Sequence, residues 1–144
     1  MAESSYNPGD RILLTFKGVL FAFRYCPPDV FFMGSSDFER GRTDWERRRQ
    51  ITLTEGFYIL ESPVTQEQQR AVMGNNPSER QGDRLPVESV SWFDCQDFLA
   101  HFNALGIASQ SCQADLPTEA QWEYACRAGT TSAYYCGETL GAGT

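Results

Sequence analysis

Residues 116–130 read Leu116-Pro117-Thr118-Glu119-Ala120-Gln121-Trp122-Glu123-Tyr124-Ala125-Cys126-Arg127-Ala128-Gly129-Thr130. Thr118 with Gln121 has the spacing of a capping box, in which the threonine hydroxyl accepts from a backbone N–H three residues on and the glutamine reaches back. Pro117 stands just before this cap, where it can meet Trp122. Trp122, Ala125 and Cys126 fall on one face. Glu123 precedes Arg127 by four residues, the favourable order for a helical ion pair, and Gly129 is a natural C-terminal stop. The stretch predicts a short, capped helix held to a sheet by Trp122 and Tyr124.

The same grammar recurs toward the N-terminus. Ser91 and Asp94 cap a helix whose Trp92, Cys95, Phe98, Leu99, Phe102 and Leu105 recur at helical spacing, with Gly106 to end it. Thr65 and Gln68 form a third capping box, opening a helix to about Met73 with Gly74 as its stop. Upstream the apolar stretches are shorter. Ile12–Phe23, interrupted by Lys17-Gly18, predicts strand, tight turn, strand; Val30–Met33 predicts another strand. Gln50–Leu53 and Phe57–Leu60 flank Thr54-Glu55-Gly56 and predict a hairpin or bent strand pair. Residues 35–49, 75–84 and those after Gly129 are polar or glycine-rich and predict loops. Three short capped helices among short strands and long loops make an irregular α+β fold.

The 144 residues carry 12 Lys and Arg against 19 Asp and Glu, a net charge of −7. Such a chain is repelled by phosphate backbones, so nucleic acid is not an expected partner. Ile12–Phe23 is too short to span a bilayer and lacks the flanks of a signal peptide, so no membrane is expected either. The cysteines are Cys26, Cys95, Cys112, Cys126 and Cys136. An odd number excludes full pairing, no two stand C-x-x-C, and zinc would need more soft ligands than these and one histidine offer. They read as reduced, mostly buried residues of a cytoplasmic protein.

Three clusters invite a functional reading. Arg40, Arg42, Arg47, Arg48 and Arg49 can be an anion-binding patch, but with Asp44 and Glu46 interleaved they read better as a solvated loop. Glu119 and Glu123, one helical turn apart, can hold a cation. Complementing the helix dipole and pairing with Arg127 is the stronger reading. His101 lies off the apolar face of its helix and reads as a surface histidine. No residue is therefore assigned a catalytic, cofactor-binding or metal-binding role.

Five blocks in order resemble one family. They are Pro27–Ser35, ending Met33-Gly34-Ser35; Phe57-Tyr58-Ile59 with Pro63-Val64-Thr65-Gln66; Val72–Ser78; Leu85–Glu88 leading into Val90–Asp94; and Leu116–Thr130. Together they identify the chain as a member of the formylglycine-generating-enzyme, or sulfatase-modifying-factor, family over about residues 20–137. The resemblance implies a loop-rich α+β domain related to C-type lectins. On it, residues 1–19 are a lead-in with the first strand, and residues 20–144 the N-terminal part of such a domain, incomplete at the C-terminus. The chain departs from the family at Arg47–Arg49, at Asp115, and at Gln69 and Arg80, which replace common aromatics. Each lost aromatic would cost about 1–3 kcal/mol if its position faces the core.

The family oxidises a sulfatase cysteine to formylglycine with oxygen and copper, and also binds calcium. Its paired cysteines, around Arg-Gly-Gly-Ser-Trp, and its Gly-Asn-Val-Trp-Glu-Trp block have no match here. Cys126 and Cys136 stand at other positions. The resemblance therefore implies a partial domain, inactive alone and expected to bind no cofactor, with the missing half or another protein as partner. A non-catalytic lectin-like binding module and a truncated gene product are the alternatives. On this reading Trp92, Phe98, Phe102 and Trp122 are only partly covered, and the chain is marginally stable and association-prone.

Overall fold

The computed structural model describes residues 6–39, 41–108 and 112–134. In chain order the elements are β1 (Arg11–Phe16), β2 (Val19–Cys26), β3 (Asp29–Met33), β4 (Arg49–Leu53), β5 (Phe57–Leu60), α1 (Gln66–Met73), α2 (Trp92–Ala104) and α3 (Glu119–Arg127). The α+β class and all three capping boxes are as the sequence predicts. The chain divides into two compact units: Met1–Tyr25 with Tyr58–Leu116, and Cys26–Phe57 with Pro117–Thr144.

The first unit is built on burial. β1 and β2 pair antiparallel from Arg11 opposite Arg24 to Phe16 opposite Val19. The connection is Lys17-Gly18, both at positive φ (49° and 79°), the conformation that matches strand twist in a two-residue hairpin. Lys17 holds it although it is not glycine, and its Nζ donates to the Ala71 carbonyl at 3.0 Å. Ile12, Leu14 and Phe16 turn inward while Leu13 and Thr15 face out. Leu13 and Leu20 on the outer face hide this alternation in the sequence. β5 joins β2, giving the order β1-β2-β5. Against the sheet a core of Phe21, Val72, Phe98 and Phe102 closes, flanked by Leu14, Leu60 and Leu99. Phe21 and Phe102 meet edge to face at 5.4 Å between centroids. Each such side chain contributes about 1.5–3 kcal/mol by leaving water.

Two expectations about this unit are corrected. Phe98 and Phe102 are 8% and 3% exposed rather than partly covered. Trp92, placed by its spacing on the apolar face of α2, is 61% exposed and stands edge to face with Phe93. The apolar stripe of α2 is buried only in its middle turns, and Leu105 at its other end is exposed as well.

The second unit is built on pairing. β3 and β4 form a two-stranded antiparallel sheet from Asp29 opposite Leu53 to Met33 opposite Arg49. The expected pairing of Gln50–Leu53 with Phe57–Leu60 does not occur: β4 pairs with β3 and β5 with β2. Thr54-Glu55-Gly56 looks like a hairpin turn, yet the strands on either side find longer partners. α3 has no buried residue. Tyr124 holds it, with its ring 5.2 Å from Phe31 and 6.3 Å from Phe57, whereas Trp122, expected to share that task, is 58% exposed. Tyr124 and Trp122 are two positions apart, so they cannot face the same way on a helix. The helix closes one residue before its expected stop: Ala128 is the cap, in the left-handed region at φ 46°, and Gly129 follows at 84°.

The cysteines are also less buried than expected. Cys26 is buried, Cys95 half-buried, and Cys112 and Cys126 exposed; all four are free thiols. Cys126 shares the uncovered Trp122 face of α3. Cys136 lies outside the described residues. Among those residues no helix is long and apolar enough to cross a membrane.

Candidate functional site: a signature clamp and a loop cradle

The residues that carry the family resemblance sit in two polar networks, one in each unit. In the second, α3 presents Glu123 and Arg127 to Gly34, the residue that ends β3. Glu123 Oε1 accepts from the Gly34 N–H at 2.8 Å, and Arg127 donates to the Gly34 carbonyl at 3.0 Å. The two side chains bridge each other at 2.8 Å and are each about one-fifth exposed (22% and 21%). Both backbone groups of one residue are thereby satisfied by one ion pair. Gly34 has no alternative: its φ is +89°, and a Cβ there would stand 2.7 Å from the Arg47 carbonyl oxygen. A shallow cleft of about 230 Å3 opens beside the clamp, lined by Asp29, Phe32, Arg48, Tyr124 and Arg127 among others.

In the first unit Gln66 is fully buried. Its Nε2 donates to the Arg80 and Pro86 carbonyls at 2.8 and 3.2 Å. Its Oε1 accepts from Asn76 Nδ2 and the Gly82 N–H at 2.9 and 3.0 Å. One side chain thus gathers the turn-rich loop after α1. Glu88 pins the same loop by accepting from the Glu79 and Arg80 N–H groups. The Ser89 hydroxyl beside Glu88, helped by those N–H groups, lowers its pKa. Sequence reasoning named the capping pair Thr65 and Gln68 but missed Gln66, because a glutamine at the first helical position has no periodic signal. Its place in the Pro63–Gln66 block was the available clue.

Of the replaced aromatics, Gln69 does occupy a buried position, donating to Asn75 Oδ1 at 3.2 Å, while Arg80 is exposed. Glu119 and Glu123 do not converge, since Glu123 is engaged by Gly34 and Arg127. The arginines disperse as well: Arg42 pairs with Asp37 at 2.9 Å, Arg48 lies 4.5 Å over the Phe32 ring, and Arg49 reaches the Met33 sulfur. Arg40 lies outside the described residues. His101 is exposed, its Nδ1 2.8 Å from the Asp97 carbonyl.

Copper held by thiolates needs two soft ligands together. Among the described residues no three His, Cys, Asp or Glu side chains group as metal ligands, and burial pushes the Cys26 thiol up, away from the thiolate form.

Comparison with known proteins agrees with this anatomy. Residues 25–144 match the model of the sulfatase-modifying factor enzyme 1-like domain. A 70-residue stretch is 34% identical to the chaperone protein LppX of Paenibacillus barcinonensis, covering 49% of this chain and 24% of that protein. Two solved structures share the fold at a TM-score of 0.70: variable protein 1 of Treponema denticola, at 24% identity over 86% of this chain, and PvdO of Pseudomonas aeruginosa, at 23% over 88%. The chain spans 59% and 54% of those two structures. The five ordered blocks, the fold and the matched span lead to one assignment: the chain belongs to the sulfatase-modifying factor enzyme 1-like domain family.

Proposed function

We propose that this chain supplies the scaffold portion of a sulfatase-modifying-factor-type domain and has no formylglycine-generating activity by itself. One observation carries the reading. The signature residues direct their polar groups at the fold's own backbone: Gln66 at the loop 76–86, Glu88 at Glu79 and Arg80, Glu123 and Arg127 at Gly34. None of these groups remains to act on a substrate. The family's oxidation of a sulfatase cysteine needs a cysteine pair around Arg-Gly-Gly-Ser-Trp, a motif these 144 residues lack. The completing partner on this reading is the remaining part of such a domain, and the free thiols suit a reducing, cytoplasmic setting.

The test is mass spectrometry of a Cys-x-Pro-x-Arg peptide incubated with the protein, copper and a reductant. No conversion above a no-enzyme control is expected, and clear conversion would overturn the proposal. A non-catalytic binding module is the second reading, favoured by the cleft beside Tyr124 and Arg48. Extending the chain with a segment that carries both downstream family motifs separates the two. The scaffold reading expects activity to appear; the module reading expects none.

A further inference from the structure

The connection from β3 to β4 has its ends tied together at residues 34–35 and 46–47. Ser35 donates its N–H to the Glu46 carbonyl at 2.9 Å, and Ser35 and Arg47 form a bridge. The Glu123–Arg127 clamp grips its base at Gly34. Inside it Arg42 bonds Asp37, and Thr43 donates to Glu46 at 3.0 Å. A loop with joined ends and its own internal bonds is an ordered surface feature of the kind that often carries function. This one displays Phe38 at 95% and Trp45 at 96% exposure. Full display of two large aromatics on a braced loop opposes the hydrophobic effect unless something covers them.

The charges beside Trp45 indicate what covers them. Asp44 and Arg47 are both exposed, and neither side chain has a hydrogen bond or ion pair among the described residues. In sequence they stand on either side of Trp45 with opposite signs. An isologous contact requires a patch complementary to itself, and an aromatic between an exposed acid and an exposed base meets that requirement. Two copies related by a two-fold axis bring Asp44 of each to Arg47 of the other, with Trp45 and Phe38 between them.

We infer that the loop 34–47 is a self-association surface through which two copies of this chain pair. Each exposed aromatic brings about 150–250 Å2, so the four bury on the order of 600–1,000 Å2 in total. A stable interface buries about 1,200–2,000 Å2, so the dimer is weak and concentration-dependent.

Sedimentation velocity of the full chain over a wide concentration range tests it, with circular dichroism to show that variants at these exposed positions stay folded. Reversible dimerisation is expected, weakened about tenfold or more by Trp45→Ser. Asp44→Arg alone and Arg47→Asp alone each place like charges opposite one another and weaken it too. Mixed together, they pair opposite charges at both contacts, so the heterodimer should return to near the original affinity. A monomer at every concentration would overturn the inference, as would a dimer indifferent to Trp45→Ser or a mixture that stays monomeric. A monomer whose Trp45 instead drives sedimentation with anionic vesicles would replace the second copy with a lipid surface.

Discussion

The two units solve one problem in different ways. The first places Phe21, Val72, Phe98 and Phe102 in a common core, and its most deeply buried polar residue, Gln66, has all four hydrogen-bonding positions filled. The second has a helix with no buried residue, held by the Tyr124 ring and by an ion pair gripping one glycine. Burial is non-directional and tolerates variation in detail, whereas a clamp on a single backbone position depends on every member. A family signature concentrated in α3 is what the second arrangement demands. The signature marks where the fold relies on geometry, because apolar area is scarce there.

The largest break in this comparison is Phe102→Ala. It should destabilise the first unit by about 3–5 kcal/mol, read as faster hydrogen exchange in β1, β2, α1 and α2. Exchange in β3 and β4 is the control. If β3 and β4 lose as much protection as α2, the two units are one cooperative body. Next is Gln66→Leu, which keeps the volume but leaves two carbonyls and two donors without their partner. With each unsatisfied group costing about 1–3 kcal/mol and water reaching some of them, a loss of about 3 kcal/mol is expected, with the exchange increase concentrated in 76–86. An unchanged melting temperature would show that the loop is held without this side chain.

The sequence exposed these two designs unequally. Capping boxes are local, so Thr65, Ser91 and Thr118 could be assigned from spacing alone. The Glu123–Arg127 pair was equally legible, being four residues apart. Its target, Gly34, was not, because it lies 89 residues from Glu123, and only the Met33-Gly34-Ser35 block suggested importance. Strand partnership failed for the same reason. Gln50–Leu53 and Phe57–Leu60 are neighbours in sequence, yet register is set by partners more distant along the chain. Trp92 and Trp122 misled in a third way, since hydrophobicity predicts what gains from burial and not whether cover is present.

The second unit can be broken at its clamp. Glu123→Ala removes the acceptor of the Gly34 N–H and leaves Arg127 without its carboxylate partner. Charged hydrogen bonds contribute about 1.5–3 kcal/mol, and one-fifth exposure of both side chains lowers this to about 1–2 kcal/mol. Exchange should accelerate at 34–47 and leave α2 unchanged; acceleration in α2 of equal size would contradict the division. Ala128→Gly should act in the opposite sense. An alanine in the left-handed region costs about 1 kcal/mol that glycine does not, so this change should raise stability by about 0.5–1 kcal/mol. A lower melting temperature would mean that the Ala128 side chain makes a contact worth more than the strain.

Acid should separate the units by the smallest margin. In the first, hydrogen bonds from Arg11, with Arg24 beside it, hold Glu61 below the ordinary glutamate value of 4.5. The Ser89 hydroxyl and the Arg80 N–H do the same for Glu88, and the Ser91 hydroxyl and N–H for Asp94. Among the described residues of the second only Glu46 is lowered, by Ser35 and then Thr43. A carboxylate whose pKa is lowered by folding contributes stability above its unfolded value and loses it as pH falls through the folded one. Both units should therefore weaken as pH drops below about 4.5, the first more steeply because three lowered carboxylates act there against one. Glu61→Gln should flatten the slope of the first unit alone. It should also leave Arg11 and Arg24, which face each other across β1 and β2, as unshielded like charges, a cost that persists at neutral pH. Opening free energies from hydrogen exchange between pH 3 and 6, compared for β2 and β3, would decide it: an equal or steeper fall in β3 would mean that polar anchoring, and not the core, sets the acid limit of both units.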